Sequence, residues 1–160
     1  MGNDSTVGTM PTFISWETTS QQDRFLDFLD AAEWKAAGFL RTLLAEGTFY
    51  ERLGESSQLF FVTEGDEIMG FSALVEQDFS PIPEYRPWIS FIYVHPDFRG
   101  NRLSEKMIDF LEGKACDAGW NKTYIVTQYH GLYEKYGYQF VKSVPSPKRD
   151  EDFFYVKDLR

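Results

Sequence analysis

Trp88-Ile89-Ser90-Phe91-Ile92-Tyr93-Val94-His95-Pro96-Asp97-Phe98-Arg99-Gly100-Asn101-Arg102-Leu103-Ser104, continued by Glu105 to Leu111, is the stretch that decides how this chain folds. Ile89 to Val94 is β-branched and aromatic, the composition of a buried strand. Pro96 ends that strand because it brings no N–H to a ladder. A polar turn with Arg99 and Gly100 follows. Leu103, Met107, Phe110 and Leu111 then recur at the spacing of one helix face. Strand, short loop and helix N-terminus together aim several backbone N–H groups at one spot. The positive end of the helix dipole lies there as well, so the spot suits a phosphate. Taken alone, the same unit serves equally well as plain scaffold.

The rest of the chain bounds what surrounds this unit. Its 160 residues favour one domain, and a hydrophobic content of 42%, with 18% aromatic, can fill a substantial core. The net charge of −9 argues against a general binder of nucleic acid or of anionic membranes, which needs an excess of Lys and Arg. That charge is compatible with a cationic acceptor such as an amine. Cys116 is the single cysteine, so no internal disulfide can form, and a reducing compartment fits. There is neither a basic-then-apolar leader nor a run of 18 apolar residues, so the expectation is a soluble cytoplasmic protein with no membrane partner.

Met1 to Met10 is small and polar and is expected to be a flexible terminus, leaving 11–160 as the domain. Phe13 to Trp16 reads as a short strand. Ser20 with Asp23 matches a helix start, and Phe25, Phe28, Leu29 and Ala32 form a helical stripe behind it. A second helix is expected from about Lys35 to Glu46, with Thr48 to Leu53 as a further turn. The period then changes. Leu59 to Thr63 and Ile68 to Glu76 read as a hairpin around Glu64-Gly65-Asp66-Glu67. Asp78 to Pro87 is a proline-rich loop. After the opening stretch, a helix is expected to end near Gly119. Next come a strand at Lys122 to Thr127, a short helix at Tyr129 to Tyr136 and strands at Tyr138 to Val144 and Phe153 to Lys157. Hairpins and crossovers together make a mixed α/β (α+β) domain.

Two separate segments agree on more than a fold class. Val94-x-Pro96-x-x-Arg99-Gly100-x-Arg102-Leu103-Ser104 resembles the acetyl-CoA pyrophosphate loop of the GNAT superfamily of N-acetyltransferases, V-x-P-x-x-R-G-x-G-x-G/A. Leu132-Tyr133-Glu134-Lys135-Tyr136-Gly137-Tyr138 resembles the L-Y-E-K-x-G-F segment near the end of that fold. The resemblance covers Ile68 to Phe140 closely and the first two helices in type and position. It implies the GNAT acyl-CoA N-acyltransferase fold, a central mixed twisted sheet of about six or seven strands with flanking helices. There is one departure: the family's second glycine is Arg102 here. Either the loop is locally different or the side chain points outward, where its guanidinium can pair with a CoA phosphate.

The resemblance also implies roles. Acetyl-CoA is the cosubstrate, with no metal. Pantetheine is expected along the strand Phe91 to Val94, on Ile92, Tyr93 and Val94, where that strand splays from Tyr124 to Thr127. The pyrophosphate is expected on Arg99, Gly100, Asn101, Arg102, Leu103 and Ser104. A backbone N–H near Tyr93 and Val94 would steady the thioester oxyanion. The amine must be neutral to attack, so a carboxylate at a strand end is sought as base. Glu76 is the first choice and Asp78 the second; His130 could support either. Tyr133 takes the family's tyrosine position beside the leaving sulfur, as the catalytic acid. Tyr136, Tyr138 and Cys116 are read as packing, His95 as structural or solvated, and Lys148 and Arg149 as a solvated loop. The acceptor pocket is expected between the N-terminal helices, the loop Asp78 to Pro87 with Phe79, Tyr85 and Trp88, and the loop Val144 to Glu151.

The expected activity is therefore acetyl transfer from acetyl-CoA to a primary amine of a small molecule, by direct attack in a ternary complex, with a homodimer implied by family habit. A protein or peptide N-acetyltransferase and a non-catalytic acyl-CoA-binding regulatory module are the alternatives.

Overall fold

The structure is a computed structural model that describes residues 11–77, 82–146 and 151–159. The terminus Met1 to Met10 lies outside these residues, as do Asp78 and Phe79 and the loop residues Lys148 and Arg149. In chain order the elements are β1 (Thr12–Ser15), α1 (Gln22–Ala31), α2 (Lys35–Glu46), α3 (Phe49–Leu53), β2 (Gln58–Glu64), β3 (Glu67–Val75), β4 (Trp88–Val94), a 3-10 turn (Pro96–Phe98), α4 (Leu103–Asp117), β5 (Lys122–Thr127), a second 3-10 turn (Tyr133–Tyr136), β6 (Gln139–Pro145) and β7 (Glu151–Asp158). The strands form one seven-stranded sheet in the order β1-β2-β3-β4-β5-β7-β6. This is the expected fold class.

Alternation along the strands sends side chains to two cores. Leu59, Phe61, Phe71, Ala73, Trp88 and Phe154 face the helices α1 to α3, where they meet Phe25, Leu29, Leu40 and Phe49. Phe60, Leu74, Ile89, Ile125 and Tyr155 face α4, where they meet Ile108, Leu111 and Ala115. Near the start of α4, Val62 and Met69 pack with Leu103 and Met107. Phe25 stacks on Phe61 with ring centroids 4.3 Å apart.

Several boundaries differ from expectation, each for a local reason. Helix α1 starts at Gln22 with no side-chain cap. Ser20 is not used, because Thr19 Oγ1 accepts the Gln21 N–H and the Gln22 side chain donates to Trp16 O. The further turn after α2 is a separate helix, since Gly47 closes α2 in the left-handed conformation at φ 72°. Only Tyr133 to Tyr136 of the expected short helix is helical, as one 3-10 turn capped by left-handed Gly137. Trp88 is strand and core, 1% exposed, rather than pocket wall.

Candidate functional site

The sheet is antiparallel except at one seam. β4 and β5 are parallel, and a single pair, Trp88 with Tyr124, joins them. The Tyr124 N–H also reaches Pro87 O at 3.0 Å. Beyond Trp88 the two strands have no ladder between them among the described residues, so Ile92 to Val94 have no β5 ladder partner. Backbone groups need partners, and an extended ligand with amides can supply them. This is the splay that the sequence led us to expect at Ile92, Tyr93 and Val94.

A bulge sharpens the splay. Phe71 pairs with Tyr93 and Ala73 with Ser90, so Ser72 stands opposite both Phe91 and Ile92. Phe91 takes φ 56°, a left-handed conformation unusual for a bulky residue. Bulges bend a strand and re-aim its groups, and strain of this kind collects at functional sites. Nothing in the sequence marks Phe91 for it. Gly70 does carry a signal, because a glycine inside a strand marks a close approach. A Cβ there would lie 2.1 Å from Tyr93 O and 2.8 Å from Met107 Cε, so glycine lets β3, β4 and α4 meet.

The loop from β4 to α4 is built around backbone groups. His95 Nδ1 accepts the Asp97 N–H at 3.0 Å and caps the 3-10 turn, the structural one of its two expected roles. Arg99 reaches back to β4: its Nε donates to Val94 O at 2.8 Å and its guanidinium lies 5.7 Å from the Tyr93 ring centroid. Its side chain therefore ties the loop to β4. Gly100 has φ 88° and Arg102 φ 62°. Arg102 thus holds a left-handed conformation, the region that favours glycine. Its side chain points outward, 81% exposed, with Nε 3.1 Å from Glu105 Oε1. Helix α4, of 15 residues, has no side-chain cap at this end. Its first N–H groups are open to an anion at the positive end of the dipole. Leu103 is buried under the helix start, which fixes that end against the sheet.

Tyr93 has its ring packed on the helical side, stacked between Phe71 at 5.2 Å and Trp34 at 5.6 Å, so only its backbone is available to the splay. Tyr133 begins the second 3-10 turn, with the rings of Tyr136, Tyr138 and Tyr155 6.1 to 6.4 Å away. Burial, helped by the neighbouring Tyr136 and Tyr129, pushes its pKa up to about 12. The phenol stays protonated and can donate a hydrogen bond. Tyr138 is a core residue, as expected, and is also bonded: its hydroxyl donates to Glu112 Oε2 and lies 2.8 Å from Thr123 Oγ1.

Glu76 follows β3 directly and is engaged elsewhere. Its Oε2 accepts both the Ser56 N–H and the Ser56 hydroxyl, each at 2.6 Å. Those bonds, foremost the hydroxyl's, hold its pKa below the usual carboxylate range. Its side chain also fills the space that a Cβ on Gly54 would need. The structure thus gives Glu76 a place in the turn between α3 and β2. His130 is likewise bonded, with Nδ1 2.9 Å from the Tyr155 hydroxyl. Of the acceptor loop, Tyr85 stacks on Tyr124 at 4.6 Å and Arg86 Nε donates to Pro83 O at 2.9 Å. Among the described residues no cluster of His, Cys, Asp or Glu is arranged to hold a metal, and no helix is long and apolar enough to cross a membrane.

Comparison with known proteins agrees with this geometry. The model of the acetyltransferase (GNAT) family matches residues 13–138. A search of the curated proteins found no significant match. Among solved structures, a protein of Desulfovibrio desulfuricans described as an acetyltransferase of the GNAT family superposes with a TM-score of 0.71 at 16% identity, over 94% of this chain and 100% of that one. A GNAT family acetyltransferase from Elizabethkingia anophelis with acetyl-CoA bound gives 0.59 at 15% identity, over 92% and 97%. An aminoglycoside 6'-acetyltransferase type Ii gives 0.68 at 18%, over 94% and 97%. At these identities the likeness shows the shared fold.

Proposed function

The chain belongs to the acetyltransferase (GNAT) family, and from that premise we propose that it transfers an acetyl group from acetyl-CoA to a primary amine of a small molecule. The observation that carries this reading is the splayed β4–β5 seam ending at an uncapped helix. Pantetheine amides would pair with backbone groups from Ile92 to Val94, which have no β5 ladder partner. The pyrophosphate would take the N–H groups of Gly100 to Ser104, with the Arg102 guanidinium swinging from Glu105 to a phosphate. Arg99 offers its backbone in this scheme, while its side-chain Nε ties the loop to Val94 O.

In the transfer, the lone pair of a neutral amine attacks the thioester carbonyl carbon. A β4 N–H near Tyr93 and Val94 steadies the oxyanion. The C–S bond then breaks and the sulfur leaves as a thiolate, while the nitrogen gives up a proton. Tyr133 serves the sulfur. Full proton transfer from a phenol of pKa about 12 to a thiolate whose acid has a pKa of about 8.5 is uphill by about 5 kcal/mol. Tyr133 therefore stabilises the thiolate by donating a hydrogen bond, and the proton arrives from solvent. Glu76 Oε2 is held by the Ser56 N–H and hydroxyl, so in this scheme the amine proton is released to solvent as the amide forms. The likeness to an aminoglycoside acetyltransferase and the net charge of −9 support a small cationic acceptor.

The variant Tyr133→Phe tests the reading. It is expected to lower kcat roughly 10- to 100-fold, the worth of one hydrogen bond to a charged group, with KM for acetyl-CoA within about twofold of the wild type. An unchanged kcat would remove Tyr133 from the chemistry.

A further inference from the structure

The 3-10 turn that carries Tyr133 is one turn long and has little to hold itself. Its backbone bonds are Lys135 N to Leu132 O and Gly137 N to Glu134 O, at 3.3 and 3.1 Å. Tyr138 N to Tyr133 O, at 3.1 Å, ties its far end. The grip comes from β7. The two-residue period of a strand puts Phe153, Tyr155 and Lys157 on the α4 side. The Phe153 ring lies 3.8 Å from the His130 ring. The Tyr155 hydroxyl donates to Glu134 Oε2 at 2.8 Å and meets His130 Nδ1 at 2.9 Å. Lys157 Nζ donates to Tyr136 O at 2.9 Å and pairs with Glu112 Oε1 at 3.1 Å. Alternate side chains of one strand thus hold the segment at 130, 134 and 136, on both sides of Tyr133.

Tyr155 is the middle grip, and its chemistry fixes the direction of every bond. Burial raises the pKa of Glu134, but the Tyr155 hydroxyl, the backbone N–H groups of Glu134 and Gly131, and His130 together bring it below the ordinary carboxylate range. Glu134 is ionised at neutral pH and can only accept. The single phenol hydrogen of Tyr155 therefore goes to Glu134, and His130 must donate through Nδ1–H. The other Glu134 oxygen accepts Gly131 N–H at 2.8 Å, which closes the loop on itself. Tyr155 is 0% exposed and so does not reach a ligand from solvent.

We propose that Tyr155 is a positioning residue for the transfer: through Glu134 and His130 it fixes the loop that sets where the Tyr133 hydroxyl stands. This rests on the role given to Tyr133 above. A longer helix would hold such a tyrosine by its own ladder; here a strand side chain does so.

Two readouts test it on the full chain carrying 3-fluorotyrosine. The first needs no activity. The 19F resonance of Tyr133, assigned by its loss in Tyr133→Phe, should move toward the free amino acid in Tyr155→Phe, which keeps the aromatic ring and removes only the hydroxyl. An unmoved line overturns the proposal. The second is a double-mutant cycle. Tyr155→Phe should lower kcat by about tenfold, the effect of a modest misplacement, with KM for acetyl-CoA little changed. The loss should vanish when Tyr133 is already Phe. Losses that multiply in the double variant overturn the proposal. If Tyr133→Phe alone leaves kcat intact, the role of Tyr133 falls, and the 19F line still decides whether Tyr155 positions it. Should Tyr155→Phe fail to fold, Glu134→Ala makes the same cut from an exposed residue.

Discussion

Arg102 stands in the left-handed region at φ 62°, where the family pattern carries glycine, and replacing it separates backbone from side chain. A left-handed L-residue costs about 1–2 kcal/mol. Glycine escapes that cost but gives up about 0.4–1 kcal/mol through the freedom it gains in the unfolded chain. The ion pair to Glu105 is exposed and spans one helical turn; its loss costs about 0.3 kcal/mol. R102A loses the pair and keeps the Cβ, so it should be less stable than wild type by about 0.3 kcal/mol. R102G should be more stable than R102A by roughly 0.5–1 kcal/mol. Urea denaturation of both variants side by side measures the difference, in which the ion pair cancels. Acetyl-CoA titration calorimetry reads the side chain: both variants should lose the same several-fold affinity, and their binding should depend less on salt than the wild type's. R102G less stable than R102A would refute the left-handed assignment. Affinity equal to wild type in both would refute the phosphate contact.

Gly70→Ala should destabilise the fold by about 3 kcal/mol, at the upper end for overpacking, because the nearest obstacle is the Tyr93 carbonyl rather than a yielding side chain. A loss under about 1 kcal/mol in urea denaturation would show that β3 and β4 can part. Glu76 has a depressed folded pKa, so its ionised form stabilises the fold above the ordinary carboxylate pKa of about 4.3, and that stability is lost as pH falls through the folded value. Wild type should exceed Glu76→Gln by less than about 1 kcal/mol at pH 7, and the gap should close in acid. A gap that widens on acidification would reverse the sign. The same variant should keep kcat within about threefold, whereas loss of a true general base costs about 100-fold or more.

Much of the fold was legible because period and punctuation agree along the chain. The switch from the helical stripe Phe25, Phe28, Leu29 to the strand run Leu59 to Thr63 shows in spacing alone, and Pro96 and Gly119 bracket α4. The seam between β4 and β5 was expected at the right strands, through the family resemblance. What the sequence hid was conformational and relational. Phe91 has no residue-type preference for a left-handed bulge, so the bend in β4 comes from tertiary packing. Arg99 was expected on the pyrophosphate through the family resemblance; the bond of its Nε to the Val94 carbonyl was not announced by any pattern. Glu76 was chosen for its place at a strand end; its engagement by Ser56, twenty residues earlier, is a contact no local pattern announces. The grip of Tyr155 on Glu134 spans 21 residues and is equally silent. Gly70 went unread, although a glycine inside a strand is a signal of close approach.

The central claim is direct acetyl transfer to a primary amine in the cleft between β4 and β5. CoA release from acetyl-CoA, followed across a panel of small primary amines with mass analysis of product and protein, tests it most directly. The account predicts amide and free CoA in equal amounts with at least one amine, little release without amine, and no acetyl group on the protein. An acetylated protein that forms in the absence of amine, or acetyl-CoA binding with no release to any primary amine, would contradict it.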